Sequence, residues 1–210
     1  MAESRAPIRR RVVSTPTHSR RSTSAPEERF SRRSGHLPKQ LGHPVRVAPD
    51  RPLRIRDEAV GAGEISRRIL TALPTWFGIP ASVEEYVAAA DRSPTIVASL
   101  GDEDIGFLTL VRHSRYAAEV YVMAVVPEFH RHGIGRALLE HAEEMLAADG
   151  VEFLQVKTLS PSKADDGYDK TRAFYLAYGF RPLEEFRDLW DVDNPALQMI
   201  KVIPTVDLAP

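Results

Sequence analysis

Val120-Tyr-Val-Met-Ala-Val-Val-Pro-Glu-Phe-His-Arg-His-Gly-Ile-Gly-Arg-Ala-Leu-Leu139 is the stretch on which the reading of this chain turns. A β-branched run leads into a basic turn with two glycines, and the turn opens directly into an amphipathic helix. Gly133 and Gly135 leave room for a ligand beside the backbone. The first amides of the helix have no intrahelical acceptor and stand at the positive end of its dipole, so an anion is favoured there. His130, Arg131, His132 and Arg136 add donors and positive charge. Together these features ask for a phosphate-bearing ligand.

Two well-known phosphate loops do not fit. A P-loop needs Lys followed by Ser or Thr after its last glycine, and a dinucleotide turn needs Gly or Ala where Leu138 stands. The segment instead resembles the acyl-CoA-binding signature of the GNAT N-acetyltransferases: Arg or Gln, two residues, Gly, one residue, then Gly or Ala. This chain has it as His130-Arg-His-Gly133-Ile-Gly135, with Val125-Val-Pro127-Glu128 leading in. His130 departs from the Arg/Gln position, and its charge depends on pH. A second block, Thr171-Arg-Ala-Phe-Tyr175-Leu-Ala-Tyr-Gly179-Phe180, resembles the family's helix ending in Tyr-x-x-x-Gly-Phe. Tyr168 stands where many members have Asn. The resemblance covers residues 52–203.

The order of elements read from periodicity fits that family's fold. Strands are expected at Pro52–Arg56, Thr95–Leu100, Ile105–Val111, Glu119–Val126, Val151–Thr158, Arg181–Asp188 and Pro195–Val202. Helices are expected at Gly63–Leu73, Val83–Ala90 with Ser82 as its cap, Gly135–Ala148 and Asp169–Tyr178. The strand–helix–strand order around Gly135–Ala148 implies a parallel pair. This is a mixed α/β chain. The resemblance implies a mostly antiparallel twisted sheet flanked by helices, with the parallel pair splayed at the cofactor site.

The resemblance also implies roles. Acetyl-CoA would be the cosubstrate, its pyrophosphate on the turn formed by His130, Arg131, His132, Gly133, Ile134, Gly135, Arg136 and Ala137. The preceding strand would bulge and splay, so that Met123, Ala124 and Val125 meet the pantetheine arm. A backbone N–H near Val125 would polarise the carbonyl, as in an oxyanion hole. Tyr175 matches the position whose phenol lies near the thioester sulfur and would be the general acid. Trp76 and Phe77 lie where the family usually builds its acceptor pocket; ordinary core packing is the competing reading.

Glu119 is the candidate general base, read from the residues themselves. It is a charge at the start of an apolar strand, on the face of Tyr121 and Met123 by period-two counting. A solvated strand edge is the alternative, and His113 is a rival base. His130 and His132 could be read as a metal pair, but no third ligand of obvious type lies nearby, and no metal is expected.

Composition sets limits. Among 210 residues there is no cysteine, which excludes disulfides, a cysteinyl intermediate and Cys-based metal sites. No apolar run approaches the ~18–20 residues of a membrane span, so a soluble chain is expected. Without an apolar secretory region, the cytoplasm is the expected compartment. The charge is divided: of 28 Lys and Arg and 29 Asp and Glu, residues 1–56 hold 14 and 4, leaving 14 and 25 for residues 57–210. Residues 1–50 are thus expected to be a disordered basic arm rich in Arg, Ser and Pro, and residues 51–205 the catalytic domain.

The expected activity is transfer of an acetyl group to a primary amine of a small molecule or peptide. Two other classes compete: a domain that binds CoA without catalysis, and nucleic-acid association through the arm alone, since an acidic domain repels phosphate backbones. Homodimerisation stays open.

Overall fold

In the computed structural model, residues 51–191 and 193–204 are described; the arm expected at residues 1–50 lies outside them. The elements run β1 (Leu53–Glu58), α1 (Gly63–Thr71), α2 (Pro80–Arg92), β2 (Thr95–Leu100), β3 (Glu103–Arg112), β4 (Ala117–Val125), α3 (Ile134–Ala148), β5 (Phe153–Leu159), α4 (Asp166–Tyr178), β6 (Arg181–Asp191) and β7 (Asn194–Val202). A short 3₁₀ turn, Pro127–Phe129, joins β4 to the glycine turn.

Every element expected from the sequence is present, and the boundaries differ for local reasons. Pro80 starts α2 three residues before the expected Val83. Proline has no N–H to lose at the first helical position and its φ is already helical. Ser82 therefore lies inside α2, and the cap is Ile79. Asp165 caps α4, its carboxylate accepting from the amides of Gly167 and Tyr168 at 2.9 Å, so the helix begins three residues before Asp169. Asp104, one residue before the expected start of the strand at Ile105, belongs to β3 and accepts from Arg56 and Ser99.

The seven strands form one sheet in the order β1-β2-β3-β4-β5-β7-β6. All neighbours are antiparallel except β4 and β5. Successive residues of β2 serve opposite faces: Ile96 and Ala98 join a cluster with Leu138, Leu139 and Tyr175, and Val97 joins another with Ile69, Leu70 and Val87. So α3 and α4 cover one face and α1 and α2 the other. Each fully buried aliphatic side chain contributes about 1.5–3 kcal/mol to holding these layers.

Two irregularities shape the middle of the sheet. Thr109 pairs with Val122 and Leu110 with Val120, so Tyr121 has no partner and forms a bulge. Parallel pairing of β4 with β5 covers only Ala117–Val120 against Phe153–Val156. Beyond that rung β4 runs on to Val125 and β5 to Leu159 with no ladder between them. The splayed pair implied by the resemblance is thus present.

The bulge also corrects the period-two count. Ala118 and Val120 face α3. After the extra residue, Val122 and Ala124 face α1 and α2, and Met123 and Val125 return to the α3 side. Glu119 therefore shares its face with Tyr121 but not with Met123.

Candidate active site

The gap between β4 and β5 has a bare backbone edge. Val126 N donates to Ile105 O at 2.8 Å, so in the antiparallel alternation the N–H and C=O of Val125 and Met123 point away from β3, into the gap. Their amides are available to a ligand that lies along the strand. One acceptor on this edge is already used: His130 Nε2 donates to Val125 O at 2.7 Å. The imidazole thus faces the end of β4, and any phosphate must be held by other groups of the turn.

Those groups are plentiful. Arg131 has φ +65° and Gly133 φ +84°, so the chain twice enters the left-handed region within three residues. At Gly133 this conformation favours glycine. The first backbone bond of α3 is Ala137 N to Gly133 O. Among the described residues, six consecutive amides, Arg131 to Arg136, have no backbone acceptor. A row of N–H groups without acceptors at a helix start is suited to an anion. Gly135 has a further reason to be small: a Cβ there would lie 3.3 Å from Phe174 Cζ and 3.9 Å from Met123 Cε. Its missing side chain lets α3 approach α4 and β4 closely. The Arg136 guanidinium lies 5.3 Å from the Tyr178 ring centre and bonds Glu140.

Tyr175 projects from α4 into the core, 5% exposed, with its ring edge-on to Phe174 and Phe180 at 5.4 Å. Burial, and next the nearby Tyr168, push its phenol well above the usual tyrosine range. It therefore keeps its proton through neutral pH. Among the described residues its hydroxyl has no hydrogen-bond partner. The Tyr168 hydroxyl donates to Trp76 O at 3.2 Å, and burial raises its pKa as well. Phe77 turns away from this group and packs edge-on to Tyr86 at 5.8 Å.

Glu119 is almost wholly buried, with 6% of its side chain exposed. Its Oε2 accepts from Lys157 Nζ at 2.6 Å and Gln155 Nε2 at 3.1 Å, and lies 2.6 Å from His113 Nε2. Gln155 is fixed in turn by Gln198 at 2.6 Å. Every partner converges on one oxygen, so Oε1 has none among the described residues. The two rival bases of the sequence are thus one hydrogen-bonded pair. Lys157 and the two glutamines were not singled out from the sequence; the alternation of Gln155 and Lys157 with apolar Leu154 and Val156 on β5 was the available signal.

On the same face, Tyr121 lines a cavity of about 450 Å³ with Val111 and the α2 residues Glu84, Glu85, Ala88, Ala89 and Arg92. Tyr86 packs edge-on to Tyr121 at 5.7 Å, and its phenol is pushed up to about 12 by burial and its tyrosine and carboxylate neighbours. Among the described residues no group of three His, Asp or Glu is placed to hold a metal. No helix there is long and apolar enough to cross a membrane.

Residues 91–182 match the family profile of the acetyltransferase (GNAT) domain, a span that contains both the glycine turn and α4. A direct comparison with curated proteins finds no match. Among solved structures, a putative GNAT acetyltransferase from Desulfovibrio desulfuricans is similar with a TM-score of 0.64 at 17% identity, covering 73% of this chain and 100% of its own. The ribosomal-protein-S18-alanine N-acetyltransferase of Escherichia coli gives 0.56 at 19% identity, with 75% and 99% covered. A GNAT family acetyltransferase from Elizabethkingia anophelis with acetyl-CoA bound gives 0.56 at 17% identity, with 71% and 97% covered. At such identities the likeness is one of fold.

Proposed function

We propose that this chain, whose residues 91–182 match the acetyltransferase (GNAT) domain profile, moves an acetyl group from acetyl-CoA directly to a primary amine of a small molecule or peptide. The observation that carries this reading is the meeting of two rows of unpaired donors: the six turn amides and the bare edge of β4. A ligand with a diphosphate at one end and an amide-containing arm at the other satisfies both.

Acetyl-CoA supplies a thioester carbonyl open to attack by an amine. The chain's own groups do the rest. Residues His130 to Ala137 form the cradle, with Arg131–Arg136 N–H groups holding the diphosphate. His130 acts by shaping β4's end, through its bond to Val125 O. The N–H groups of Met123 and Val125 receive the arm and stabilise negative charge on the carbonyl oxygen; Ala124 faces the opposite layer. Glu119 Oε1 accepts the ammonium and removes its proton, directly or through one water, and Lys157 keeps the carboxylate in place. Tyr175, protonated throughout neutral pH, gives a proton to the departing thiolate. Tyr121, Trp76 and the α2 wall border the acceptor's approach.

The test is release of free thiol from acetyl-CoA over a panel of amines and peptides. Release that depends on one class of amine is the expected result. Binding of acetyl-CoA without release for any amine supports the second reading, a CoA-binding domain without catalysis; the occupation of Val125 O by His130 is the observation in its favour.

A further inference from the structure

The two aromatics between α1 and α2 both border the apolar layer under those helices. Phe77 packs onto Tyr86 within it. Trp76 is held at three further points. Its indole meets the His130 imidazole edge to face, ring centres 6.0 Å apart and planes at 79°. Its six-membered ring lies against the start of α4, where a Cβ on Gly167 would come within 3.4 Å of Cε2 and Cζ2. Its carbonyl accepts the Tyr168 hydroxyl at 3.2 Å.

These contacts lie on the walls of the gap. His130 belongs to the anion turn and is bonded to the bare edge of β4. Gly167 and Tyr168 open α4, the helix that carries Tyr175. Trp76 therefore links His130, at the end of β4, to the first turn of the helix that carries the proposed acid. Both departures from the family signature contact this one residue, His130 at the indole and Tyr168 at the backbone carbonyl.

We propose that Trp76 determines acyl specificity: it closes the thioester end of the gap and confines the transferred group to acetyl. The inference rests on the acetyl-CoA reading given above. An indole packed between His130 and Gly167, on a backbone tied to Tyr168, cannot swing aside for a longer chain without losing its ring contacts, and a close-packed wall resists added methylenes.

Calorimetric titration with acetyl-CoA, butyryl-CoA and free CoA tests this without an acceptor amine. The parent protein should bind butyryl-CoA at least about tenfold more weakly than acetyl-CoA, the scale on which a tight pocket discriminates methylenes. In a Trp76→Ala variant the two affinities should converge to within about threefold while free CoA affinity is retained. Should that variant fail to fold, Tyr168→Phe removes only the tie to the Trp76 carbonyl and should weaken the discrimination. Equal binding of both thioesters by the parent overturns the proposal, as does undiminished discrimination in the folded variant. A parent that binds neither thioester overturns the acetyl-CoA reading itself.

Discussion

Lys157 Nζ stands 2.6 Å from Glu119 Oε2, and Lys157 lies on β5 one residue beyond Val156, the last partner of β4. The ion pair thus bridges the strands at the apex of the gap and fixes the proposed base there. Glu119→Gln keeps size and polarity but removes the basic oxygen, so kcat/KM should fall by about 10²-fold with the fold intact. Lys157→Met leaves a buried carboxylate without its cation. Stability should drop by about 2 kcal/mol in urea titration, less than for a fully buried pair because 21% of the lysine side chain reaches solvent. An unchanged rate in Glu119→Gln would leave deprotonation to water.

The glycines of the turn have separable roles. Gly133→Val forces a β-branched residue to φ +84° and should distort the amide row. Gly135→Val instead drives a methyl group against Phe174 and Met123, displacing α3 from α4. Each should weaken CoA binding at least about tenfold, or ~1.4 kcal/mol. Calorimetry on the folded variants decides; unaltered affinity in both would remove the diphosphate from this turn.

Tyr175→Phe deletes one hydroxyl from a buried ring. CoA affinity should hold, while kcat and kcat/KM fall together by about 10²-fold, because the proton is needed only as the thiolate leaves. Equal turnover in the variant, with chemistry rate-limiting, would make Tyr175 a packing residue.

The same tyrosine shapes the alkaline limit of stability. Its folded pKa is raised by burial and by Tyr168, and that of Tyr86 is pushed up to about 12. A phenol that resists ionisation when folded contributes fully below the unfolded value of about 10. Above that pH the unfolded chain releases protons that the folded one keeps, so stability declines as pH rises through the folded values. Thermal melting should therefore fall above pH ~10, and less steeply in Tyr175→Phe. A variant as alkali-sensitive as the parent would contradict this assignment.

Local signals in the sequence announced most of the fold. Gly133 and the apolar stripe of α3 follow from the residues' own spacing, and the Tyr175–Phe180 block lies on the helix that the family resemblance implied. What stayed hidden depends on contacts between distant segments. The bulge at Tyr121 is set by register against β3, and it moves Met123 to the face opposite Glu119. The engagement of His130 with Val125 O arises only once the turn folds back on β4. The Lys157–Glu119 pair needs the parallel crossover, and Trp76 meets Tyr168 across 92 residues of chain. Periodicity carries no information about such pairs.

The account stands or falls on where the acetyl group goes. Mass spectrometry of a reaction containing acetyl-CoA, the full-length protein and an amine selected by the thiol-release screen measures this directly. The account predicts an amide on the acceptor nitrogen, one free CoA thiol for each amide formed, and loss of both signals together in Tyr175→Phe and Glu119→Gln. Acetyl-CoA that is bound tightly yet consumed no faster with any amine than without one would contradict it.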